Sequence, residues 1–364
     1  MSEPTPQIDE LKGLRAEIDR IDEQLIELLN RRAEVVVRVG KAKQQSGAAV
    51  YAPDREHEVL SRIRQMNPGP LPDKTLAAIW REMMSGSFAL EKPLRVAYLG
   101  PEGSFSHLAA MRKFGASVEY LPVTDIRAVF DEVRRGHVDL GMVPIENSIG
   151  GGVVDTLDAF TGADVFVVAE VMVEVHHNLL ANCAPDEITM IASKPEVFPQ
   201  CRNWLSSQFH KVDLIPVASS SKAADMAAKQ HGLAAIGSTL AAELYGLKVV
   251  FANIEDNPGN TTRFFVIGEK PTRPTGQDKT AIMFNTAHKP GALVEVLQVL
   301  QKYGINMTNI DTRPSKGAKW EYTFFVDCEG HCQDANFVAA MGEAKEHCLA
   351  FTVLGSFPKA KETV

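Results

Sequence analysis

Apolar residues recur at intervals of three and four along the first part of the chain. This spacing places them on one face of a helix, which we call the apolar seam. The seam consists of Leu11, Leu14, Ile18, Ile21, Leu25 and Leu28, and continues through Arg32, Val35, Val39 and Ala42 to a break at Ser46 and Gly47. The pattern predicts one long helix, a second from about 54 to 66 that ends at Asn-Pro-Gly-Pro, and a third over about 73–89.

From residue 94 onwards the pattern changes to short apolar runs bounded by turn residues. Such runs predict strands, and helical stretches such as 223–231 and 239–245 lie between many of them. This alternation predicts an α/β domain with largely parallel sheets. The predicted strands are 94–99, 140–143, 165–169, 188–192, 214–217, 234–236 and 264–267.

The last part of the chain follows a linker of turn-forming composition, PTRPTGQDK, at 271–279. Its pattern predicts the order βαββαβ, which is typical of a ferredoxin-like α+β module. The predicted strands are 280–286, 307–313, 322–327 and 350–355, and the helices are 293–303 and 334–347. We therefore predict three domains, at 1–92, 93–271 and 272–364.

Composition and charge limit the classes of protein that the chain can represent. The net charge of −8 over 364 residues is unfavourable for general nucleic-acid binding. No apolar run approaches the roughly 20 residues of a membrane helix, and the polar start lacks the hydrophobic core of a signal peptide. Five scattered cysteines, an odd number, are typical of a reducing compartment. We expect a cytosolic protein without nucleic-acid or membrane partners.

Arg32 is a charged residue on the apolar seam. It predicts either a buried salt bridge or a clamp for a ligand carboxylate, which the planar guanidinium suits. Lys43 shares its face about 16 Å along the axis, so the two long side chains can converge on one small dianion. Arg15 lies about 25 Å before Arg32, which is too far to share a small ligand. A functional Arg15 therefore predicts a site completed by another subunit.

The helical region resembles the all-helical chorismate mutases over residues 8–92. The resemblance rests on LRAEIDRIDEQLIELLNRRAEVVVRVGKAK, PDREHEVL and IWREMMSGSFALEK. It implies a helix-exchanged dimer with two shared sites. By motif, it implies that the substrate-binding residues are Arg15 of the partner subunit, Arg32, Lys43, Arg55 (supporting), Glu56 (ring hydroxyl), Ser87 and Glu91.

The implied reaction is a rearrangement of chorismate to prephenate, which requires no nucleophile and no cofactor. Catalysis then comes from folding the substrate and stabilising charge on the breaking ether bond. Lys43 and Glu91 are the candidates for that oxygen, although some relatives have glutamine at position 91. An ionised Glu91 would repel the developing charge, so we expect it to act protonated, which burial favours. Ala52 stands where some relatives have an acid, which leaves one peripheral hydroxyl contact unassigned.

Three segments of the α/β region carry polar residues at strand ends. They are GPEGSFSH at 100–107, VPIENSIGG at 143–151 and NTTRFFVIG at 260–268. Taken singly, each is consistent with ordinary turns, helix caps or strand polarity. The first lacks the GxGxxG spacing of a dinucleotide site. In this order, with LDAF, HHNLL, AAIGS and IEDN between them, they resemble prephenate dehydratases over about 94–270.

This second resemblance implies two α/β lobes around a cleft, like periplasmic binding proteins, with the substrate between them. It assigns Thr262 as the general acid that helps the ring hydroxyl leave as carbon dioxide is lost. Direct and relayed proton donation both remain open, as does whether Arg263 fixes the segment or binds a carboxylate. The implied substrate-binding residues are Ser104, His107, Asn147, Ser148, Thr262, Arg263 and Phe264.

The tail resembles the ACT regulatory domains of phenylalanine-inhibited dehydratases. Its two signature segments are Gly291, Ala292, Leu293 and Val294, and Asp311, Thr312, Arg313 and Pro314. The second segment departs conservatively from the usual Glu-Ser-Arg-Pro. The resemblance implies L-phenylalanine bound between two such domains. A plain folding or dimerisation module is the alternative.

Cysteine and histidine near the end of the chain also raise the question of a zinc site. Cys328, His331 and Cys332, with His347 and Cys348, do not have the spacing of a standard finger. The implied chemistry needs no metal, and we expect none.

Together these resemblances imply a bifunctional chorismate mutase/prephenate dehydratase with a phenylalanine-sensing ACT domain. It would act on chorismate and prephenate without cofactors, as a homodimer or larger homo-oligomer. Two other interpretations remain at this point. One is a non-catalytic, two-lobed anion-binding sensor with an ACT regulator attached to the mutase. The other keeps the mutase and makes the rest purely regulatory.

Overall fold

Three helices form the N-terminal region of the chain. The computed structural model describes residues 6–47, 49–314 and 322–360. Helix α1 spans Pro6–Ser46, α2 spans Pro53–Met66 and α3 spans Asp73–Glu91, as the apolar periodicity predicts. The apolar seam of α1 remains exposed: Leu14 and Ile18 keep 52% and 56% of their accessible surface. Exposure on this scale along a long helix is typical of a surface that binds another chain.

The α/β region contains eleven strands and six α-helices. In chain order, these are β1 Arg95–Leu99, α4 Phe105–Phe114, β2 Glu119–Val123, α5 Ile126–Arg134, β3 Leu140–Asn147, β4 Gly151–Gly152, α6 Val154–Phe160, β5 Phe166–Glu174, β6 Asn178–Ala181, β7 Met190–Ser193, α7 Arg202–Gln208, β8 Asp213–Pro216, α8 Ser220–Lys229, β9 Leu233–Gly237, α9 Thr239–Tyr245 and β10 Lys248–Phe251. A further strand, β11 at Thr261–Gly268, completes the region.

Two sheets form the two predicted lobes. The first has the order β2-β1-β3-β11-β5 with β4 paired to β3, and the second has the order β10-β6-β9-β7-β8. The prediction of largely parallel sheets is wrong, because β11 runs antiparallel to both β3 and β5, and β6 runs antiparallel to β9 and β10. The chain crosses to the second lobe after β5 and returns as β11, which inserts between two strands of the first lobe. This insertion brings the beginning of β11 beside the end of β3.

The tail has the predicted βαββαβ order. Its elements are β12 Asp278–Asn285, α10 Ala292–Lys302, β13 Met307–Pro314, β14 Tyr322–Glu329, α11 Ala335–Glu346 and β15 Ala350–Pro358. They form one antiparallel sheet of order β13-β14-β12-β15. One face, with Phe284 and Val326, packs on α10 and α11, and the other, with Met283 and Phe325, joins the core of the first lobe. The tail sheet is therefore in direct contact with the α/β region.

The helical region also docks on the first lobe. At the end of α4, Gly115 has φ +78°, and a Cβ there would lie 2.7 Å from Cβ of Ser85 on α3. Ser85 Oγ accepts a hydrogen bond from the Ser117 N–H at 2.9 Å, and Glu82 accepts one from the Ala116 N–H at 3.0 Å. Glycine permits both the positive φ and this close approach.

Within residues 6–47, 49–314 and 322–360, no helix is long and apolar enough to cross a membrane.

Candidate active sites

The first candidate site lies between α1 and α3. Arg32 Nη1 donates a hydrogen bond to Ser87 Oγ at 2.8 Å, and Lys43 Nζ lies 2.9 Å from Glu91 Oε2. Ser87 and Glu91 are four residues apart on α3, so both project from one face of that helix. The structure therefore brings four of the predicted residues together in two pairs.

Gly40 allows the end of α3 to approach α1. A Cβ at position 40 would lie 3.0 Å from Glu91 Cγ and 3.1 Å from Glu91 Cα. Both distances are shorter than an ordinary van der Waals contact, and the second is to a backbone atom, the Cα of Glu91. A side chain at this position would push Glu91 away from Lys43. The sequence pattern gave no reason to single out this glycine.

Charge at this site is concentrated in a partly buried space. The Glu91 side chain is only 8% exposed, and Lys43 Nζ also donates to the Val50 carbonyl at 2.9 Å. Burial lowers the pKa of Arg32, although a guanidinium stays charged in proteins. The contact between Lys43 Nζ and Glu91 Oε2 joins the end of α3 to α1 at this site.

Three other residues predicted for this site have different contacts. Arg15 is exposed on the N-terminal half of α1. Arg55 pairs with the exposed Glu58. Glu56 accepts hydrogen bonds from Tyr51 Oη and Lys113 Nζ, both at 2.7 Å. Glu56 thus contacts the α/β region rather than the Arg32–Ser87 pair.

The second candidate site forms where β3 ends and β11 begins. Thr262 lies opposite Asn147 in the antiparallel register. Asn147 Nδ2 donates to Thr262 Oγ1 at 2.9 Å and to Asn260 Oδ1 at 2.8 Å. Asn147 Oδ1 accepts from the N–H groups of Ile149 and Gly150 at 3.0 and 2.9 Å. Both ends of this side-chain amide are held, so its hydrogen bond to Thr262 has a fixed direction.

The Thr262 hydroxyl is arranged to donate a proton. A hydroxyl has one donor hydrogen and two acceptor lone pairs, and Asn147 uses a lone pair. The donor hydrogen of Thr262 is therefore available for a ligand. The same hydrogen bond stabilises negative charge left on the oxygen once the proton leaves.

Ser148, next to Asn147, ties the end of β3 to the beginning of β11. Its Oγ accepts a hydrogen bond from the Thr261 N–H at 2.9 Å and donates one to the Gly259 carbonyl at 3.3 Å.

A polar chain leads from this pair to the second lobe. Asn260 Nδ2 donates to Gln200 Oε1 at 3.0 Å, and His177 Nε2 lies 3.0 Å from the same oxygen. A carboxamide oxygen only accepts, so Nε2 of His177 carries the hydrogen. Burial lowers the pKa of His177, which favours the neutral ring. The sequence segments NTTRF and HHNLL contain Asn260 and His177, but their spacing gave no sign that Gln200 joins them.

Ser104 and His107 shape the turn before α4. Ser104 Oγ accepts from the His107 N–H at 3.3 Å and donates to the Leu99 carbonyl at 2.9 Å. His107 Nδ1 accepts from the Gly103 N–H at 3.1 Å, and its ring stacks on Tyr98 at 4.5 Å. Burial lowers the pKa of His107 and favours the neutral ring. Both side chains therefore hold the turn, and their role in substrate binding stays a prediction.

Arg263 and Phe264 follow Thr262 on β11 but have different neighbours. Successive side chains of a strand point to opposite faces. Phe264 is 1% exposed and packs in the core of the first lobe. Arg263 points to the tail domain, where Nε donates to Glu170 Oε2 at 2.9 Å and Nη1 forms an ion pair with Asp327. Within this segment, only Thr262 contacts Asn147.

The two predicted regulatory segments lie on different sides of the tail sheet. Gly291 has φ +84° at the start of α10, which covers one face. On the other face, the Asp311 carboxylate occupies the space that a Cβ at Gly152 would fill. Arg313 Nε lies 3.7 Å from Asp158 Oδ1 of α6. Asp311 and Arg313 thus contact the first lobe.

The cysteine and histidine residues of the tail do not form a metal centre in the part of the chain that the structure describes. There, no three His, Cys, Asp or Glu side chains are grouped so that they could hold a metal ion. Cys328 is fully buried, and burial raises its pKa to about 12, so it is a neutral thiol. His331 Nδ1 accepts a hydrogen bond from the Gln333 N–H at 3.1 Å, within a turn.

Comparisons with known proteins match all three regions. The family model for chorismate mutase type II matches residues 14–92, the model for prephenate dehydratase matches 96–272, and the model for the ACT domain matches 280–341. A relative from Stutzerimonas stutzeri, a bifunctional chorismate mutase/prephenate dehydratase, is 44% identical over 97% of this chain and 98% of its own length. The relative from Aquifex aeolicus with the same description is 41% identical over 97% and 99%.

Among solved structures, the Arthrobacter aurescens prephenate dehydratase in complex with L-Phe superposes with a TM-score of 0.68. It is 31% identical, over 74% of this chain and 92% of its own. A structure described as a quorum-quenching acylase has the same TM-score at 28% identity, over 73% of this chain and 98% of its own. Neither structure covers the whole chain, whereas the two bifunctional relatives do.

Proposed function

Because the chain belongs to the family of bifunctional chorismate mutase/prephenate dehydratases, we propose that it rearranges chorismate to prephenate and converts prephenate to phenylpyruvate. The observation that carries this proposal is the presence of both sites on one chain, Arg32–Ser87 with Lys43–Glu91 and Thr262–Asn147. The domains are assigned to 1–92, 93–271 and 272–364. The five free cysteines are consistent with action in the cytosol.

The mutase site works by positioning and electrostatics. Arg32 binds a carboxylate of chorismate through its planar fork, while Ser87 orients the guanidinium. Lys43 faces the ether oxygen and stabilises the negative charge that develops as the bond breaks. Protonated Glu91 donates a second hydrogen bond to that oxygen. These fixed groups hold the substrate in its reactive conformer, and the chemistry uses no cofactor.

The dehydratase site expels a hydroxyl group and carbon dioxide from prephenate. Thr262 donates its proton to the leaving hydroxyl, and Asn147 stabilises the oxygen that remains. Backbone N–H groups at the start of the ten-residue helix α4 bind a substrate carboxylate. Ser148 holds the strand end beside Thr262. Aromatisation of the ring provides the driving force, so the protein needs to supply orientation and one proton.

The tail domain is proposed to bind L-phenylalanine and inhibit the dehydratase. A relative of 31% identity was solved in complex with L-Phe. In this chain, the segments Gly291–Val294 and Asp311–Pro314 lie on different sides of the tail sheet. An effector site between two tail domains, one segment from each, accounts for that placement.

A homodimer is proposed because α1 leaves its apolar seam exposed and Arg15 far from Arg32. Chains with Arg15→Ala and chains with Arg32→Ala are each expected to lose most mutase activity. Mixed dimers regain one intact site of the two when Arg15 is supplied across the interface. Mutase assays on equimolar mixtures, refolded together, should recover about a quarter of the unmodified activity, by random pairing of subunits. No recovery in mixtures shown to contain mixed dimers would contradict a shared site.

The proposed function is tested by supplying chorismate to the purified chain without any cofactor. We expect prephenate to appear first and phenylpyruvate to follow, both resolved by chromatography. A chain heated past its unfolding transition is the matched control. Conversion of chorismate that stops at prephenate would contradict the dehydratase assignment, and turnover of prephenate alone would contradict the mutase assignment.

A further inference from the structure

Four charged side chains meet in a buried cluster between the first lobe and the tail. Arg263 on β11 pairs with Glu170 on β5, with Nη2 to Oε2 at 2.7 Å, and also pairs with Asp327 on β14. Lys279 on β12 lies 3.2 Å from Glu170 Oε1. The side chains of Arg263, Glu170 and Asp327 are 7%, 1% and 8% exposed. We call these four residues the interdomain ion cluster.

The composition of the cluster explains how it can be buried. Two cations and two carboxylates give no net charge, and each charge has an opposite partner within ion-pair distance. The cluster has members from both domains, since Glu170 and Arg263 come from the first lobe, and Lys279 and Asp327 from the tail. Asp327 and Lys279 of the tail thus pair with Arg263 and Glu170 of the first lobe. Movement of the tail therefore acts on Arg263 directly.

Arg263 immediately follows the proposed catalytic residue. On one face of β11, Thr262 is bonded to Asn147, and on the other face Arg263 is held by Asp327 of the tail. The register between β11 and β3 shifts between Arg263 and Phe264, which marks a bulge at this point. Bulges commonly re-aim side chains next to active sites. A change in how Arg263 is held therefore alters the strand end that presents Thr262.

A second contact joins the tail to the other half of the catalytic pair. Asp311 of β13 packs against Gly152 of β4. Gly151, its neighbour, pairs with Asn147 across the β3–β4 hairpin. The tail sheet thus touches both strand ends of the dehydratase site, through Asp311 towards Asn147 and through Asp327 towards Thr262.

We propose that Asp327 couples the effector state of the tail to catalysis by holding Arg263, and that Arg263 is a positioning residue for Thr262. This inference rests on the proposed regulation by L-phenylalanine and extends it to a specific contact. A ligand changes an equilibrium between two states only when its interactions differ between them. An effector bound between tail domains displaces β13 and β14, and the ion cluster transmits that displacement to the Thr262–Asn147 hydrogen bond.

The test is Asp327→Asn in the full-length chain, with dehydratase activity measured against L-phenylalanine concentration. The amide keeps the shape of the side chain but removes the charge that holds Arg263, while Glu170 still pairs with Arg263. We expect a fall in basal dehydratase activity, because Arg263 loses one of its two carboxylate partners, and at least a tenfold rise in the L-phenylalanine concentration for half-inhibition, a typical coupling factor. A concentration of L-phenylalanine for half-inhibition that stays within twofold of the value for the unmodified chain would overturn the proposal.

Two further measurements separate coupling from other effects. Glu329→Gln is the matched control, because Glu329 lies on the same strand but pairs with Lys359 at an exposed position. It is expected to leave half-inhibition unchanged. Calorimetric titration should show that the Asp327→Asn chain still binds L-phenylalanine with an affinity within about tenfold of the unmodified chain. A change of that size in affinity is expected when the coupling between the two sites is lost. Loss of binding would place Asp327 in the effector site and overturn the coupling role.

A second variant covers the case in which Asp327→Asn does not fold. Arg263→Met combined with Asp327→Leu replaces the buried pair with apolar side chains and leaves Glu170 with Lys279, an exchange that buried ion pairs often tolerate. L-phenylalanine should bind this variant without inhibiting its residual dehydratase activity, and retained inhibition overturns the proposal. An unmodified chain that L-phenylalanine does not inhibit would instead refute the proposed regulation itself, before any variant is made.

Discussion

Thr262→Ala is expected to lower dehydratase kcat/KM by about 10²–10⁴-fold, the range typical of a lost general acid. Thr262 is the hydroxyl that Asn147 orients, and its donor hydrogen is free to protonate the leaving group. Mutase activity should remain within about twofold, because distant sites without shared contacts behave independently. Steady-state assays with prephenate and with chorismate on the same preparation measure both activities.

Two neighbouring substitutions make this test specific. Thr262→Ser keeps the hydroxyl and should retain most of the dehydratase activity. Thr261→Ala changes the adjacent side chain, while the Thr261 N–H can still bond Ser148. It should also leave activity largely intact. Equal loss in all three variants would point to damage to the strand end, and joint loss of mutase activity in Thr262→Ala would argue against separate sites.

Lys43→Ala is expected to have the largest effect on mutase activity. Mutase kcat/KM should fall by about 10²–10³-fold, while dehydratase activity is retained. This range is typical of removing one group that stabilises transition-state charge. Lys43 Nζ lies 2.9 Å from Glu91 Oε2, and both side chains are proposed to contact the ether oxygen of chorismate. Lys41→Ala, an exposed lysine on the same helix, is the matched control and should be near neutral. Comparable losses from both lysines would contradict a specific role.

Glu91→Gln tests the protonation proposed for that residue. A glutamine donates the same hydrogen bond at every pH, whereas a glutamate donates only when protonated. The variant should keep mutase activity at low pH and lose the decline of the alkaline limb in the pH–rate profile. An unchanged alkaline limb would show that Glu91 does not titrate in the reaction.

The sequence predicted the elements of the mutase site well because helical periodicity is local. Arg32 on the apolar seam, and the eleven-residue interval to Lys43, follow from 3.6 residues per turn alone. The pairing of these residues with Ser87 and Glu91 depends on how α1 and α3 pack against each other. Gly40 illustrates this, because a Cβ at position 40 would lie only 3.0 Å from Glu91 Cγ, and helical periodicity does not predict such a contact.

The dehydratase site was harder to predict because its residues meet through long-range strand pairing. The Thr-Arg-Phe segment is contiguous, but a strand sends alternate side chains to opposite faces. Which face meets the cleft depends on β11 returning between β3 and β5. The role of Arg263 depends on the docking of the tail, whose Asp327 lies 64 residues further along the chain. Short apolar runs also failed to predict β2, β6 and β10, whose direction and pairing come from the assembled sheets.

The exposed seam of α1 connects the fold to the proposed assembly. A row of half-exposed leucines and isoleucines is costly in water, and a second copy of the helix would bury it. The same association would bring Arg15 of the partner subunit near Arg32 if the helices exchange. Mutase activity is therefore expected to depend on dimerisation, whereas the Thr262–Asn147 pair is complete within one chain.

The central claim, two separate active sites on one chain, is tested most directly by mixing the two single-site variants. Lys43→Ala and Thr262→Ala chains are assayed alone and together for the conversion of chorismate to phenylpyruvate. We predict little phenylpyruvate from either alone, accumulation of prephenate by Thr262→Ala, and rapid formation of phenylpyruvate by the mixture. A mixture that forms no more phenylpyruvate than the two variants assayed separately would contradict the claim.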